Sequence, residues 1–192
     1  MEKKKEENEE KARRKSEEKI LIRGVLREDG ILVPPTEDIE GLTSRGYGRP
    51  RDGDLLLAFH EALYLLSKGI LEVRDEGTDE TVSFEGLLDR ARSRDEDAWI
   101  RYVIYRDLRS RGYFVREGFG FGADFRVYKR GEYGKSPAAY LVLGVREGQP
   151  IMVEELARIL TRVQSLKKSL ILSVINRRGE IVYYSVSRLS LA

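Results

Sequence analysis

The chain has no cysteine, one histidine and one tryptophan among its 192 residues. Without cysteine there is no disulfide framework and no thiolate metal site. A lone histidine, His60, leaves almost no scope for zinc, and no metal or cofactor is expected. No apolar run approaches the roughly 20 residues that span a membrane. The charged beginning has no signal-peptide core. A soluble, cytoplasmic protein without a membrane partner is therefore expected. Asparagine and glutamine are scarce as well, while glutamate, arginine and lysine abound, as in proteins of thermophiles.

Charge is plentiful but balanced. Charged residues make up 35% of the chain, yet the net charge is only +2. That excludes a uniformly basic surface, so nucleic-acid binding needs a local patch. Hydrophobic residues, at 41%, suffice for a real core in one domain or two small ones.

Residues 1–19 are nearly all Lys, Glu and Arg and bury nothing; a solvated helix or disordered tail is expected. From Lys19 the pattern reads strand, turn, strand: Ile20, Ile22 and Val25, a turn at Asp29–Gly30, then Ile31 to Val33. The stretch "SRGYGRPRDGDLL" reads as a loop. A helix is predicted next, with Asp54 as N-cap, Leu56, Phe59, Leu63 and Leu66 at helical spacing, and Gly69 as its stop. "ILEVRD" reads as a strand, and Ser83 as the cap of a short helix. In the second half, Trp99, Tyr102, Val103, Tyr105 and Leu108 give a helix its apolar face, and Gly112 ends it. Strands follow at "YFVRE", "DFRVY" and "AAYLVLGV". An amphipathic helix runs from Met152 through Val163, and two strands, "SLILSVIN" and "EIVYYSVSRL", close the chain around Arg177-Arg178-Gly179. The expected class is α+β: a small N-terminal α+β domain over 20–94, then an α/β nuclease-like domain with a mixed central sheet over 95–192.

Four features could carry chemistry. "GFGFGAD", 118–124, lacks the G-x-G-x-x-G spacing and the following helix, and reads as a hairpin loop. His60 sits on a helix, where a lone histidine is a packing or surface residue. Tyr128 ends a strand and is followed by Lys129, Arg130, Tyr133 and Lys135, a loop suited to phosphate. Lys167-Lys168 follows a helix, where cations stabilise the C-terminal dipole; alternatively one ammonium stands at the head of the sheet near Tyr128.

Longer motifs add to this. "SRGYGRPRDGDLLLAFHEALYLLSKGILEV" resembles the N-terminal region of the archaeal tRNA-splicing endonucleases. "YRDLRSRGYFVREGFGFGADFRVYKRG", "AAYLVLGV" and "ELARILTRVQSLKKSLILSVINRRGEIVYYSV" resemble their catalytic domain, in order, across about residues 20 to 190. The resemblance implies cleavage of precursor tRNA at a bulge–helix–bulge structure. A tyrosine deprotonates the ribose 2′-hydroxyl, a histidine protonates the leaving 5′-oxygen, and a lysine stabilises charge at phosphorus. The products are a 2′,3′-cyclic phosphate and a 5′-hydroxyl.

By the same resemblance the tyrosine corresponds to Tyr128. The lysine corresponds to Lys168 when counted back from "LILSVIN", and to Lys167 when counted forward from Arg162. The histidine, three residues before the tyrosine of "YLV" (here Tyr140), falls on Pro137. Imidazole, with an ordinary pKa near 6.5, donates a proton at neutral pH; proline has none to give. The family also contains paired catalytic and structural subunits, two of each. The missing histidine therefore implies a structural subunit with a degenerate site at Tyr128, Pro137 and Lys168. Precursor tRNA and a His-containing paralogue are the expected partners. The alternatives are an enzyme using another acid, Lys135 or Tyr133, and a non-enzymatic RNA-binding scaffold. RNA contacts are expected from Arg130, Lys135, Arg162 and Lys168, with Arg162 near a position that sandwiches a base in the family. Pairing between subunits is expected through the last strand, by Val182, Tyr183, Tyr184 and Val186, which reads as covered on both faces. The family docks an acidic loop into a basic groove; the corresponding loop here, Asn176 to Glu180, is mostly basic, which leaves Asp75 to Glu80 as another candidate.

Overall fold

Alternating apolar residues build the first strands. The computed structural model describes residues 21–35, 39–120 and 122–189; the charged tail and Ile20 lie outside them. Strands β1 (Ile22–Arg27) and β2 (Gly30–Val33) form a hairpin closed by the Arg27–Gly30 pair. A short helix α1 (Ile39–Ser44) leads to β3 (Arg49–Arg51) and β4 (Asp54–Leu57), then helix α2 (Phe59–Ser67) and β5 (Leu71–Asp75). The five strands make one sheet in the order β3-β4-β2-β1-β5, antiparallel except for β1 with β5. Helix α3 (Phe84–Arg92) is capped by Ser83, whose hydroxyl accepts the Gly86 N–H at 3.1 Å. Such a cap contributes about 1 kcal/mol.

Around Asp54 the structure corrects the expectation. The region read as a loop is a tight hairpin, because Asp52 (φ 50°) and Gly53 (φ 93°) both take the left-handed conformation between Arg51 and Asp54. That is the backbone of a two-residue hairpin turn, which the Asp-Gly dipeptide favours. Asp54 therefore starts β4 and caps nothing, and Leu56 belongs to a strand. The helix begins after Ala58, where the Glu61 side chain reaches back to the Ala58 N–H at 3.0 Å.

The second half is built on α4 (Ala98–Ser110), β6 (Phe114–Glu117), β7 (Phe125–Tyr128), β8 (Tyr140–Arg146), α5 (Val153–Ser165), β9 (Ser169–Ile175) and β10 (Ile181–Val186). Its sheet runs β10-β9-β8-β7-β6, with only β8 and β9 parallel. The fold is thus α+β with a mixed sheet in each half. Helix α4 buries residues on most of its circumference, from Ile100 to Leu108, because it packs against α2 of the first half and the sheet of the second. One apolar core therefore runs through both halves and includes Leu57, Leu63, Tyr105, Phe125 and Val142. Each such large side chain contributes about 1.5–3 kcal/mol when fully buried. Trp99, expected on the apolar face, is instead 38% exposed.

The last strand also differs from the reading of a strand covered on both faces. It is the edge of its sheet. Ile181 and Tyr183 pack on the main core and Val186 on a smaller cluster under α5, while Val182 and Tyr184 are 47% and 53% exposed.

Candidate functional site

Three strand ends meet at one margin of the second sheet. Tyr128 closes β7, the Pro137 segment enters β8, and Lys168 enters β9. Backbone bonds hold them in step: the Ala139 N–H donates to Val127 at 3.0 Å, and the Ser169 N–H to Ala139 at 3.1 Å. The Lys168 ammonium donates to the carbonyl of Ala138, the residue after Pro137. Lys167 instead takes the left-handed conformation (φ 55°) that ends α5, and its side chain is exposed. The structure thus brings Lys168 to the Pro137 segment and directs Lys167 to solvent. Among the described residues no group of three or more side chains forms a metal-ligand cluster.

The loop after Tyr128 has its own scaffold. Glu132 donates its N–H to Lys129, and Lys135 and Ser136 donate theirs back to the Glu132 carbonyl. Lys129 and Lys135 are exposed and carry no ion pair among the described residues. Arg130 lies with its guanidinium 5.2 Å from the Tyr113 ring. Arg162 does not join this loop: its Nη1 donates to the Gly120 carbonyl of the 118–124 segment. That segment joins β6 to β7, so it is a hairpin loop as expected. Its Asp124 braces the sheet, accepting the Gly144 N–H at 2.7 Å and pairing with Arg101 at 3.0 Å.

Tyr133 links this margin to the first half. Its ring stacks on Phe114 at 4.7 Å and meets Tyr128 edge-on at 5.0 Å. Gly46, from the "GYG" loop, lies under the same rings: a Cβ there would come within 3.2 Å of Tyr133 and 3.1 Å of Phe114, and its φ of 75° already favours glycine. The loop is anchored in turn by a buried polar seam. Glu61 Oε2 accepts the N–H groups of Gly48 (3.1 Å) and Ala58 (3.0 Å). Arg116, on β6, stands 3.7 Å from Glu61 Oε1 and donates to the Gly46 carbonyl at 2.8 Å. Burial pushes the Glu61 carboxyl up to about 7, opposed by Arg116 and the two backbone donors. Sequence reasoning did not find this seam. Its signal was the glutamate beside His60 on an otherwise apolar helix.

His60 is packed in the same region and is 6% exposed. Its ring lies 4.8 Å from Tyr105 and 5.1 Å from Phe125. Burial, with Arg101 and Arg116 adding to it, lowers its pKa to about 3. It is neutral at working pH and sealed from solvent, a packing residue as expected.

A cavity of about 390 Å³ opens between the two sheets, lined in part by Arg49, Arg116 and Arg126, by Asp29, Glu61 and Glu117, and by Phe119. Arg126 Nε is buried there without a hydrogen-bond partner. The Asp75–Glu80 and Asn176–Glu180 turns differ in charge. Within the Asp75–Glu80 turn, Asp75, Glu76 and Asp79 pair with Arg90, Arg27 and Arg74 of the same chain. The Asn176–Glu180 turn presents Arg177 and Arg178 to solvent.

Comparison with known proteins matches both halves. Residues 22–88 match the sequence model of the tRNA intron endonuclease N-terminal domain, and residues 98–183 that of the tRNA intron endonuclease catalytic C-terminal domain. The tRNA-splicing endonuclease of Methanococcus maripaludis is 36% identical over 166 residues, spanning 86% of this chain and 93% of its own. That of Pyrococcus horikoshii is 34% identical over 143 residues, 74% of this chain and 81% of its own. That of Methanosarcina mazei is 34% identical over 172 residues, which span 88% of this chain but 47% of the relative.

Proposed function

This chain belongs to the tRNA intron endonuclease family, and we propose that within it the chain is a structural subunit, working beside a His-containing paralogue that carries the cleavage chemistry. The observation that carries the reading concerns the proton donor. The position the family gives to histidine holds Pro137, and the chain's only imidazole, His60, is buried between Tyr105 and Phe125. A general acid must come within hydrogen-bond reach of the atom it protonates. Neither residue can meet that requirement.

In this reading Tyr128 and Lys168 are remnants of a site that lacks its acid. The chain contributes architecture and RNA contacts to a two-plus-two assembly that excises introns at bulge–helix–bulge structures, leaving a 2′,3′-cyclic phosphate and a 5′-hydroxyl. Arg130, Lys135 and Lys168, near the three strand ends, are the proposed phosphate contacts; Arg162 is a proposed RNA contact from α5, where its Nη1 also holds the Gly120 carbonyl. The exposed face of β10, with Val182 and Tyr184, supports pairing through that edge, since an open edge offers unpaired backbone groups to another strand. Tyr183, on the opposite face, packs the strand onto the main core, and Val186, at its end, packs on the cluster under α5. The basic Asn176–Glu180 turn and the internally paired Asp75–Glu80 turn both favour the partner as donor of the acidic loop.

A second reading rests on Tyr133, whose ring adjoins Tyr128. If its hydroxyl replaced the imidazole, the lone chain would cleave. The test is precursor-tRNA cleavage by the purified chain, by the paralogue and by their mixture. Cleavage by the mixture alone is expected. Turnover by the lone chain, abolished by Tyr133→Phe, overturns the structural reading in favour of the second. Failure to bind the paralogue favours a free-standing scaffold.

A further inference from the structure

The far end of the second sheet holds a groove that the proposed function does not use. Strands β8 and β9 are parallel and seven residues long. At about 3.3 Å per residue they separate their two ends by about 20 Å. Tyr128 and Lys168 stand at one end. At the other, a groove of about 480 Å³ lies between the start of α4 and the β9–β10 turn. Its wall includes Trp99, the only tryptophan in the chain, with Arg92, Arg177, Glu96 and Glu147, and Arg146, whose Nη2 already donates to Asp97 at 2.8 Å and to the Glu96 carbonyl at 2.9 Å.

Three observations bear on what the groove takes. The indole is 38% exposed, although a tryptophan on this helix could have been buried. It rests on Tyr102, whose ring lies 5.6 Å away and tilted by 41°, and the Arg106 guanidinium stands 5.6 Å from Tyr102 in turn. The turn bearing Arg177 is locked by Asn176, whose Oδ1 accepts the N–H groups of Arg178 and Glu180 at 2.9 Å each and whose Nδ2 donates to Glu180 at 2.7 Å. Arg177 itself is exposed and carries no ion pair among the described residues. An arginine without an ion pair among the described residues is therefore held on a braced turn in the same groove as a partly exposed indole. An acidic peptide would satisfy the arginines and leave the indole uncovered. An unpaired nucleotide satisfies both, because its base stacks on the ring and its phosphate meets the guanidinium.

We propose that this groove is a second RNA-binding site, which holds an unpaired nucleotide of the substrate by stacking on Trp99 and by a phosphate contact to Arg177. The proposal rests on the reading that the chain handles precursor RNA, but it concerns a surface remote from the strand-end site.

Trp99 is its own reporter. The full chain is titrated at low salt with an octamer of uridylate, with a polyglutamate peptide of equal charge as control, and tryptophan fluorescence is followed. Saturable quenching by the RNA and not by the peptide is expected. Arg177→Ala, a change at an exposed and unpaired residue, is expected to reduce the slope of log affinity against log salt by about 0.7, the value for one phosphate contact on a single strand. Trp99→Leu, read by anisotropy of labelled octamer, is expected to weaken binding about 5- to 160-fold, the range for one lost base stack. Absence of quenching, equal quenching by polyglutamate, or an unchanged salt slope in Arg177→Ala overturns the proposal. The subunit reading is judged separately: if the mixture with the paralogue cuts precursor tRNA while Trp99 stays silent, this site falls and the subunit assignment stands.

Discussion

At the margin formed by Tyr128, Pro137 and Lys168, polar side chains stand partly in solvent on strand ends and a self-braced loop. In the seam between the two halves, His60, Glu61 and Tyr105 are sealed in the core, and burial displaces the titration of all three. Strongly displaced titration is a common mark of active sites. Here it marks a joint. The seam fixes the "GYG" loop, the loop holds Tyr133, and Tyr133 abuts Tyr128. The contrast teaches that in this fold the buried polar groups position the margin, whereas the margin itself stands partly in solvent.

The largest expected effect breaks the seam. Arg116→Leu leaves the Glu61 carboxyl buried without its cation and the Gly46 carbonyl without its donor. At pH 8, above the Glu61 value of about 7, the carboxyl is ionised, and breaking a buried pair by removing one partner costs about 3–5 kcal/mol. Denaturant unfolding of the variant is expected to show a loss of that size. A loss under about 1 kcal/mol would mean that the joint does not depend on the pair.

The pH dependence sharpens the same contrast. Glu61 rises from 4.5 to about 7 on folding, so its contribution is fully present below pH 4.5 and is lost as pH rises towards 7. His60 falls from 6.5 to about 3, so its contribution is present above pH 6.5 and is lost as pH falls towards 3. Between pH 4.5 and 6.5 the two slopes oppose each other, each about 1.4 kcal/mol per pH unit. Their sum in the wild type is nearly flat. Glu61→Gln is expected to make stability rise with pH across this window, and His60→Leu to make it fall, by about 3 kcal/mol in each case. Parallel slopes in the two variants would contradict the assignment of both groups.

The open edge comes next in size. Val182→Glu places charge on the exposed face of β10, which protects an edge from pairing. Light scattering of the mixture with the paralogue is expected to show assembly weakened about 10- to 100-fold, equivalent to about 1.4–2.8 kcal/mol. The fold of the single chain should be unaffected. Unchanged assembly would move the interface elsewhere.

How much of this could be read beforehand depends on how local each feature is. Helices α4 and α5 followed from apolar spacing, and Ser83 was legible as a cap because capping needs only four consecutive residues. The β3–β4 hairpin was equally local, yet Asp52-Gly53 was passed over because Asp54 before an apolar run mimics a helix start. The place of β10 at the sheet edge was not legible, since alternating apolar residues look alike in a central strand and in an edge strand awaiting a partner. Tyr128, Pro137 and Lys168 are 40 residues apart from first to last, and their meeting depends on strand order. Resemblance brought them together on paper. The Glu61–Arg116 pair, between positions 55 residues apart in different halves, had no motif to announce it.

The smallest expected effect is the most discriminating. Tyr128→Phe removes one hydroxyl and keeps the ring that packs against Tyr133. If this margin lacks its acid and performs no chemistry, cleavage by the mixture with the paralogue should stay within about twofold of wild type, since the retained ring preserves what the subunit contributes to architecture. A working general base supplies about 100-fold or more. Single-turnover cleavage at saturating enzyme isolates that step from RNA binding. A fall of that size would show that Tyr128 still removes a proton, and the acid would then have to be sought among groups the partner brings or in the adjacent Tyr133.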